Sequence, residues 1–225
     1  PPRSTLFPYT TLFRSLPGLR AQESPALERA APGKTDLLAL AEKVMGQVAE
    51  LRGMPFRRPV AKGIYTREQL EKFLLAELEK ELPDGRAGAL ERAYGAVGLL
   101  PEGVGLRATM ARVLLGQVGG FYDPEQGAFH IMEGRGGPEM SLVIMAHELA
   151  HALDDQYFDL AALTDAARLD SDREFAVGSV VEGSATVQQM RFMVEAQRKG
   201  ELGVEALLAD AEREKAATEA FFAEP

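Results

Sequence analysis

Residues 138–156 have the sequence PEMSLVIMAHELAHALDDQ, an apolar run that begins with proline and contains two histidines. Proline is favoured at the first position of a helix, and the run is too long for a single strand, so a helix is predicted. The residues immediately around the histidines are uncharged, as expected for a helix that is covered on its other sides. This segment therefore predicts a largely buried helix at the centre of the fold.

The histidines of this helix, His147 and His151, are four residues apart, and Glu148 follows the first of them. Residues i and i+4 lie on one face of a helix, so both imidazole groups can bind one Zn²⁺ at about 2.0–2.1 Å. In this pattern the glutamate acts as the general base. The alternative is an ordinary amphipathic helix, but unpartnered His and Glu among apolar residues would cost on the order of several kcal/mol. We therefore expect a zinc site with Glu148 as a catalytic residue.

A third ligand is expected to be a carboxylate, because the chain has no Cys and only three His. Glu182 is the best candidate, since it is the one charge in residues 178–186, a stretch rich in small and apolar residues. Small neighbours would let its helix approach the helix of the histidines. The alternative is a solvated glutamate on an exposed helix face, but such faces usually carry several charges.

Together these features resemble the gluzincin metallopeptidases, in which the two histidines and a glutamate from a downstream helix bind zinc. The chain resembles more closely a poorly characterised bacterial family of zincin-like proteins, over about residues 40–200. The stretches that carry this resemblance are GFYDP at 120–124, HELAHALDDQ at 147–156 and EGSAT at 182–186.

The resemblance implies an α+β, mainly helical zincin-like metalloprotease domain, with a small β-hairpin or sheet beside the active-site helix. It also implies zinc-dependent hydrolysis of peptide bonds, with Glu148 passing a proton from water to the leaving amine. The chain departs from the gluzincin pattern at Thr186, where an Asp that orients a ligand histidine is replaced, so hydrogen-bonding support must come from elsewhere. Asp155, one turn beyond His151, is the candidate, unless it is simply an acid near a helix end.

A peptidase also needs a hydrogen-bond donor for the developing oxyanion and a strand edge that a peptide can pair with. Residues 119–132 predict a β-hairpin around the turn sequence DPEQG, and this hairpin is the expected edge. The candidate donors are Tyr122, His130 and Tyr157. For Tyr122 the alternative is a packed hairpin aromatic, and for His130 it is a structural residue.

The rest of the chain is predicted to be helical. Residues 35–118 form the N-terminal helical part, in which residues 55–63 are a connection and no strand is expected. Residues 119–225 form the catalytic part, in which a capping box of Ser171 and Glu174 begins a long helix that ends before Gly200. The predicted helices cover residues 36–51, about 66–82, 86–99, 106–117, 138–156, 171–199 and 203–222.

The two ends of the chain carry separate expectations. Residues 5–15, TLFPYTTLFRS, match the in-frame translation of a sequencing adapter, so residues 1–15 are set aside as an artefact. Residues 16–34 are expected to be a disordered linker or the remnant of a leader peptide, which favours an extracytoplasmic location, secreted or membrane-anchored. Members of the similar family continue beyond the position of Pro225, so a truncation is expected there.

Composition excludes several classes of function. A net charge of −9 argues against a nucleic-acid partner, and the absence of Cys excludes thiolate metal sites and a Cys nucleophile. No run approaches the roughly 18 apolar residues of a transmembrane helix. The expected partner is a peptide or protein substrate, and the sequence does not set the oligomeric state. The alternatives to a peptidase are a catalytically idle zincin-fold binding module, a metal-dependent hydrolase of non-peptide amides and a helical interaction protein without metal.

Overall fold

The computed structural model describes residues 34–134, 137–167 and 170–223. Of these residues 73% are helical, and a small three-stranded sheet accompanies the helices, which confirms the predicted α+β, mainly helical fold. The expectations for residues 1–33 lie outside the described residues. In chain order the elements are α1 (Lys34–Arg52), β1 (Ala61–Tyr65), α2 (Arg67–Glu81), α3 (Asp84–Ala96), α4 (Leu106–Gln117), β2 (Gly120–Asp123), β3 (Ala128–Met132), α5 (Pro138–Phe158), α6 (Leu160–Ala167), α7 (Ser171–Arg198) and α8 (Val204–Ala223).

Helix α5 is the centre of the fold, as its apolar sequence predicts. Residues 145–155 are buried without a break. Helices α1, α7 and α8 and the sheet all pack against α5. Its apolar side chains join the largest hydrophobic core with residues of α1, β3 and α7, such as Val44, Phe129 and Phe192. The central position of α5 fixes where its two histidines lie.

The sheet has the strand order β1-β3-β2, with β1 parallel and β2 antiparallel to β3. The hairpin of β2 and β3 was predicted, but β1 was not, so the expectation of an all-helical N-terminal part is wrong. The sequence of β1, AKGIY, is short, contains Lys and Gly and does not alternate, so no strand pattern is visible. Its pairing partners on β3 lie more than sixty residues away, and the sheet joins the N-terminal and catalytic parts.

The two faces of β3 meet different neighbours. Phe129 and Ile131 pack in the core around α5, whereas Met132 packs with Leu70 and Leu74 of α2. Because successive residues of a strand point to opposite faces, His130 lies on the α2 side of the sheet, with Met132.

The helix starts show how local side chains set the boundaries. The capping box at Thr66 is confirmed, since Thr66 Oγ1 accepts the backbone N–H of Gln69 and Gln69 Oε1 accepts that of Thr66. The box predicted at Ser171 is wrong. Asp170 caps α7 instead, with Oδ1 accepting the N–H groups of Asp172 and Arg173 at 3.1 Å each, because aspartate one residue earlier is itself a strong cap.

Helix α6 was not predicted from the sequence. It follows α5 after a single residue, Asp159, which takes the left-handed conformation with φ of 51° and turns the chain. The carboxylate of Asp155 at the end of α5 accepts the N–H of Leu160, the first residue of α6, at 2.9 Å. The break between the two helices therefore depends on the conformation of Asp159 and the carboxylate of Asp155. Neither residue interrupts the helical pattern of the sequence, so the break could not be predicted.

Candidate metal centre

Three predicted ligands meet on facing sides of α5 and α7. His147 Nε2 lies 3.2 Å from Glu182 Oε2, and His151 Nε2 lies 3.1 Å from Glu182 Oε1. The two Nε2 atoms are 3.1 Å from each other. His147 is buried, with 1% of its surface exposed, while Glu182 is partly accessible. The group formed by these three residues can hold a metal ion.

The spacing of the two nitrogens and the Glu182 carboxylate fits a bound cation. Ligands at about 2.05 Å from a tetrahedral ion lie about 3.3 Å from one another, close to the observed 3.1–3.2 Å. Hydrogen bonds alone satisfy this arrangement poorly, because the two Nε2 atoms that face the Glu182 carboxylate are only 3.1 Å apart. If both Nε2 atoms donated protons to Glu182, the two N–H groups would also face each other. A cation among the three side chains satisfies both nitrogens and the carboxylate, so the donor set fits a metal.

Charges in this centre depend on one another. Burial acts to raise the pKa of Glu182, but hydrogen bonds with His147 and His151 leave that pKa below its ordinary value. Burial acts to lower the pKa of His151, but the hydrogen bond with Glu182 and the charge of Glu148 raise it overall. Burial raises the pKa of Glu148, although the neighbouring histidines oppose this shift. The carboxylate of Glu182 is therefore held in its anionic form, which suits a ligand.

Glu148 lies beside the ligand group and is fixed by the sheet. Its Oε2 accepts the backbone N–H of Tyr122, on edge strand β2, at 3.0 Å. The residue is buried, with 8% of its surface exposed. The structure thus brings the predicted base and the predicted edge strand together, but Tyr122 contributes its backbone rather than its hydroxyl group.

The hydroxyl of Tyr122 donates instead to Asp155 Oδ2 at 2.8 Å, and burial together with the charge of Asp155 raises the pKa of Tyr122. The other oxygen of Asp155 accepts the N–H of Leu160. The expectation that Asp155 accepts an imidazole N–H is therefore wrong. Both oxygens of its carboxylate, at the end of α5, already accept hydrogen bonds from the Tyr122 hydroxyl and the Leu160 N–H. The Nδ1 atom of His147 is buried without a hydrogen-bond partner in the part of the chain that the structure describes.

Two other predicted donors lie away from the ligands. His130 packs against Tyr65 and Phe121 on the α2 side of the sheet, with ring centroids 4.6 and 4.9 Å away, and burial lowers its pKa. It therefore faces away from α5. Tyr157 donates its hydroxyl to the carbonyl of Pro55 at 2.7 Å, and the guanidinium of Arg57 lies 3.6 Å from its ring centre. The structure does not bring either residue to the ligand group.

Thr186 is half-buried on α7 and makes no side-chain hydrogen bond with the described residues, so it does not replace the missing aspartate. A different cluster lies one turn from the ligands. Ser184 Oγ donates to Asp154 Oδ2, and Arg52 of α1 donates to both residues. Sequence reasoning missed this cluster. Ser184 and Asp154 stand within quoted motifs, but Arg52 gives no signal, since it is more than a hundred residues from Asp154.

Comparisons with known proteins add no name to this centre. No family model, no curated protein and no solved structure matches the chain. Within the described ranges, no helix is both long enough and apolar enough to cross a membrane.

Proposed function

We propose that this protein is a zinc-dependent metallopeptidase that hydrolyses peptide bonds. The observation that carries the proposal is the convergence of three side chains: the Nε2 atoms of His147 and His151 lie 3.1 Å apart, and each is within 3.2 Å of one oxygen of the Glu182 carboxylate, with Glu148 buried next to them. In a network held by hydrogen bonds alone, both imidazoles would have to point N–H groups at Glu182 with their Nε2 atoms only 3.1 Å apart, whereas a shared cation satisfies all of these atoms.

The donor set favours zinc over other common metals. Two imidazole nitrogens and one carboxylate oxygen suit zinc, whereas Ca²⁺ and Mg²⁺ prefer oxygen ligands throughout. Three protein ligands leave one coordination position open, as in catalytic rather than structural zinc sites. The chemistry that zinc supplies at such a site is polarisation of a carbonyl oxygen and activation of water.

The hydrogen bond of Glu148 to the sheet supports a role in proton transfer. Its Oε2 is held by the N–H of Tyr122, which leaves Oε1 to take a proton from water and then to pass it to the leaving amine nitrogen. The hydrogen bond also fixes the carboxylate, so little motion is needed between these two steps. Strand β2 is an edge of the sheet, and an extended peptide can pair with such an edge beside Glu148.

The test is hydrolysis of a broad peptide library by the zinc-loaded chain, read by mass spectrometry. We expect cleavage by the wild type and a loss of about 10²–10⁴-fold in rate for Glu148→Gln, with zinc binding retained. Glu212→Gln, on the exposed face of α8, is the matched control and should cleave like the wild type.

Other outcomes favour the alternatives. If both the wild type and Glu148→Gln bind zinc and neither cleaves any peptide, the chain is a binding module with an idle site. Cleavage of small non-peptide amides without cleavage of peptides would indicate a different hydrolase. A folded wild type that binds no metal would overturn the proposal and leave a helical interaction protein.

A further inference from the structure

A cluster of three polar side chains joins α1, α5 and α7. Ser184 Oγ donates to Asp154 Oδ2 at 2.5 Å. Arg52 Nη2 donates to Asp154 Oδ1 at 2.9 Å and lies 3.2 Å from Ser184 Oγ. Both oxygens of the Asp154 carboxylate therefore have partners, which its burial requires, since its side chain is only 7% exposed. We refer to Arg52, Asp154 and Ser184 as the polar cluster.

The polar cluster lies next to the metal ligands along both helices. Asp154 follows His151 by three residues on α5, so the two are about one helical turn apart on the same side. Ser184 follows Glu182 by two residues on α7. A hydrogen bond between Ser184 and Asp154 thus ties the two helices together beside the point where Glu182 reaches the histidines.

A second contact between the two helices lies further along α7. Gln189 Nε2 donates to the carbonyl of Val143 at 3.1 Å, and both Gln189 and the intervening Ala185 are buried. Along α5 the two contacts lie on either side of the histidines, at Val143 and Asp154, while on α7 both follow Glu182. The attachment at Gln189 is to backbone, while the attachment at Ser184 is to a charged side chain that Arg52 holds in place.

We propose that Arg52, Asp154 and Ser184 are positioning residues that hold Glu182 at coordinating distance from His147 and His151. This inference rests on the proposed metal site. The polar cluster supplies the support that Thr186 does not, and it makes α1 of the N-terminal part a contributor to the centre. A metal ligand that is fixed in advance binds more tightly, because less conformational freedom is lost on binding.

The experiment measures zinc affinity by competition with a chromophoric chelator and records the visible absorption spectrum of the Co²⁺-loaded chain. Removing a direct hydrogen-bond partner of a metal ligand typically weakens metal binding about 10–100-fold, and the polar cluster acts one step further out, through the packing of the helices. We therefore expect a loss of about 10-fold, the lower end of this range, and an altered Co²⁺ spectrum for Ser184→Ala and Asp154→Asn. Ser184→Thr keeps the hydroxyl group and should recover most of the affinity.

Ser179→Ala is the matched control, because Ser179 lies on the exposed face of the same helix and donates only to the carbonyl of Phe175. It should keep wild-type affinity and spectrum. Far-UV circular dichroism of each metal-free variant checks the fold, and the small Ser184→Ala change keeps the test open if Asp154→Asn does not fold.

Three results separate the possibilities. Wild-type zinc affinity and Co²⁺ spectrum in Ser184→Ala would overturn the positioning role while leaving the metal site intact. Lower stability of the metal-free variants, with affinity and spectrum unchanged, would also overturn it, because the polar cluster would then be structural only. If the wild type binds neither Zn²⁺ nor Co²⁺, the proposed function itself fails, and the positioning role fails with it.

Discussion

Asp210 of α8 should stabilise the start of the metal helix from a distance. Gly137, at the N-cap position of α5, provides no side-chain cap. Asp210 Oδ2 instead accepts the N–H of Met140 at 3.1 Å, and its other oxygen pairs with Arg213. Asp210 is 1% exposed, and its carboxylate packs so closely against Gly137 that a Cβ there would overlap it. We therefore predict that Asp210→Ala strongly destabilises the fold.

The expected magnitude follows from two contributions at this contact. A hydrogen bond to a charged group contributes about 1.5–3 kcal/mol, and an anion at a partly buried helix N-terminus contributes up to about 2 kcal/mol. Because the two contributions overlap, we expect Asp210→Ala to lower the free energy of unfolding by about 3 kcal/mol. This corresponds to a fall in Tm of about 6–12 °C for a chain of this size. Asp210→Asn keeps an acceptor and should lose about half as much free energy.

The assay is urea unfolding followed by circular dichroism at 222 nm, together with thermal unfolding. Glu212→Ala changes an exposed acid on the same helix and should shift the free energy of unfolding by less than about 0.5 kcal/mol. A loss below about 1 kcal/mol in Asp210→Ala would refute the capping of α5 by Asp210. A loss in Glu212→Ala equal to that in Asp210→Ala would refute it as well.

Three further predictions concern the sheet and the end of α5. Tyr122→Phe removes the 2.8 Å hydrogen bond to buried Asp155 and should cost about 1–2 kcal/mol of unfolding free energy, measured in urea. Gly63→Ala should lower the free energy of unfolding by about 1–3 kcal/mol, because the new Cβ would lie 2.5 Å from His130 Nδ1. In a chain that also carries His130→Ala, Gly63→Ala should have little effect. An undiminished loss in that double variant would contradict the contact. Burial lowers the pKa of His130, so as pH falls the unfolded state takes up a proton at a higher pH than the folded state does. The free energy of unfolding should therefore decrease as pH drops below about 6.5. His130→Phe should flatten this part of the pH–stability curve, and an unchanged slope would contradict the burial of His130.

Much of the fold could be predicted because it is encoded locally. The apolar run of α5, the capping box at Thr66 and the turn between β2 and β3 each depend on neighbouring residues, and the structure contains all three. Strand β1 could not be predicted, because its hydrogen bonds come from a strand more than sixty residues away. The cap of α7 was misplaced by one residue, since two adjacent residues, Asp170 and Ser171, are both able to cap.

In the candidate site, too, the ligands could be predicted from local sequence, but their hydrogen-bonding surroundings could not. His147 and His151 are fixed by helical spacing alone, and Glu182 stands out as a single charge among small residues. The hydrogen bonds around them depend on how three helices meet, so the role expected of Asp155 is not found: Asp154 binds Ser184 of α7, and Asp155 binds Tyr122. Alternation along β3 places His130 on the far side of the sheet, but the sequence does not show which side faces α5.

The central claim is tested most directly by the metal content of the purified full chain, measured by mass spectrometry of the elements alongside His147→Ala and Glu182→Ala. The account predicts about one zinc ion per wild-type chain and loss of zinc in both variants, with the far-UV circular dichroism preserved. Zinc retained in Glu182→Ala would contradict the three-residue site, and a folded wild type that binds no zinc would contradict the proposed function.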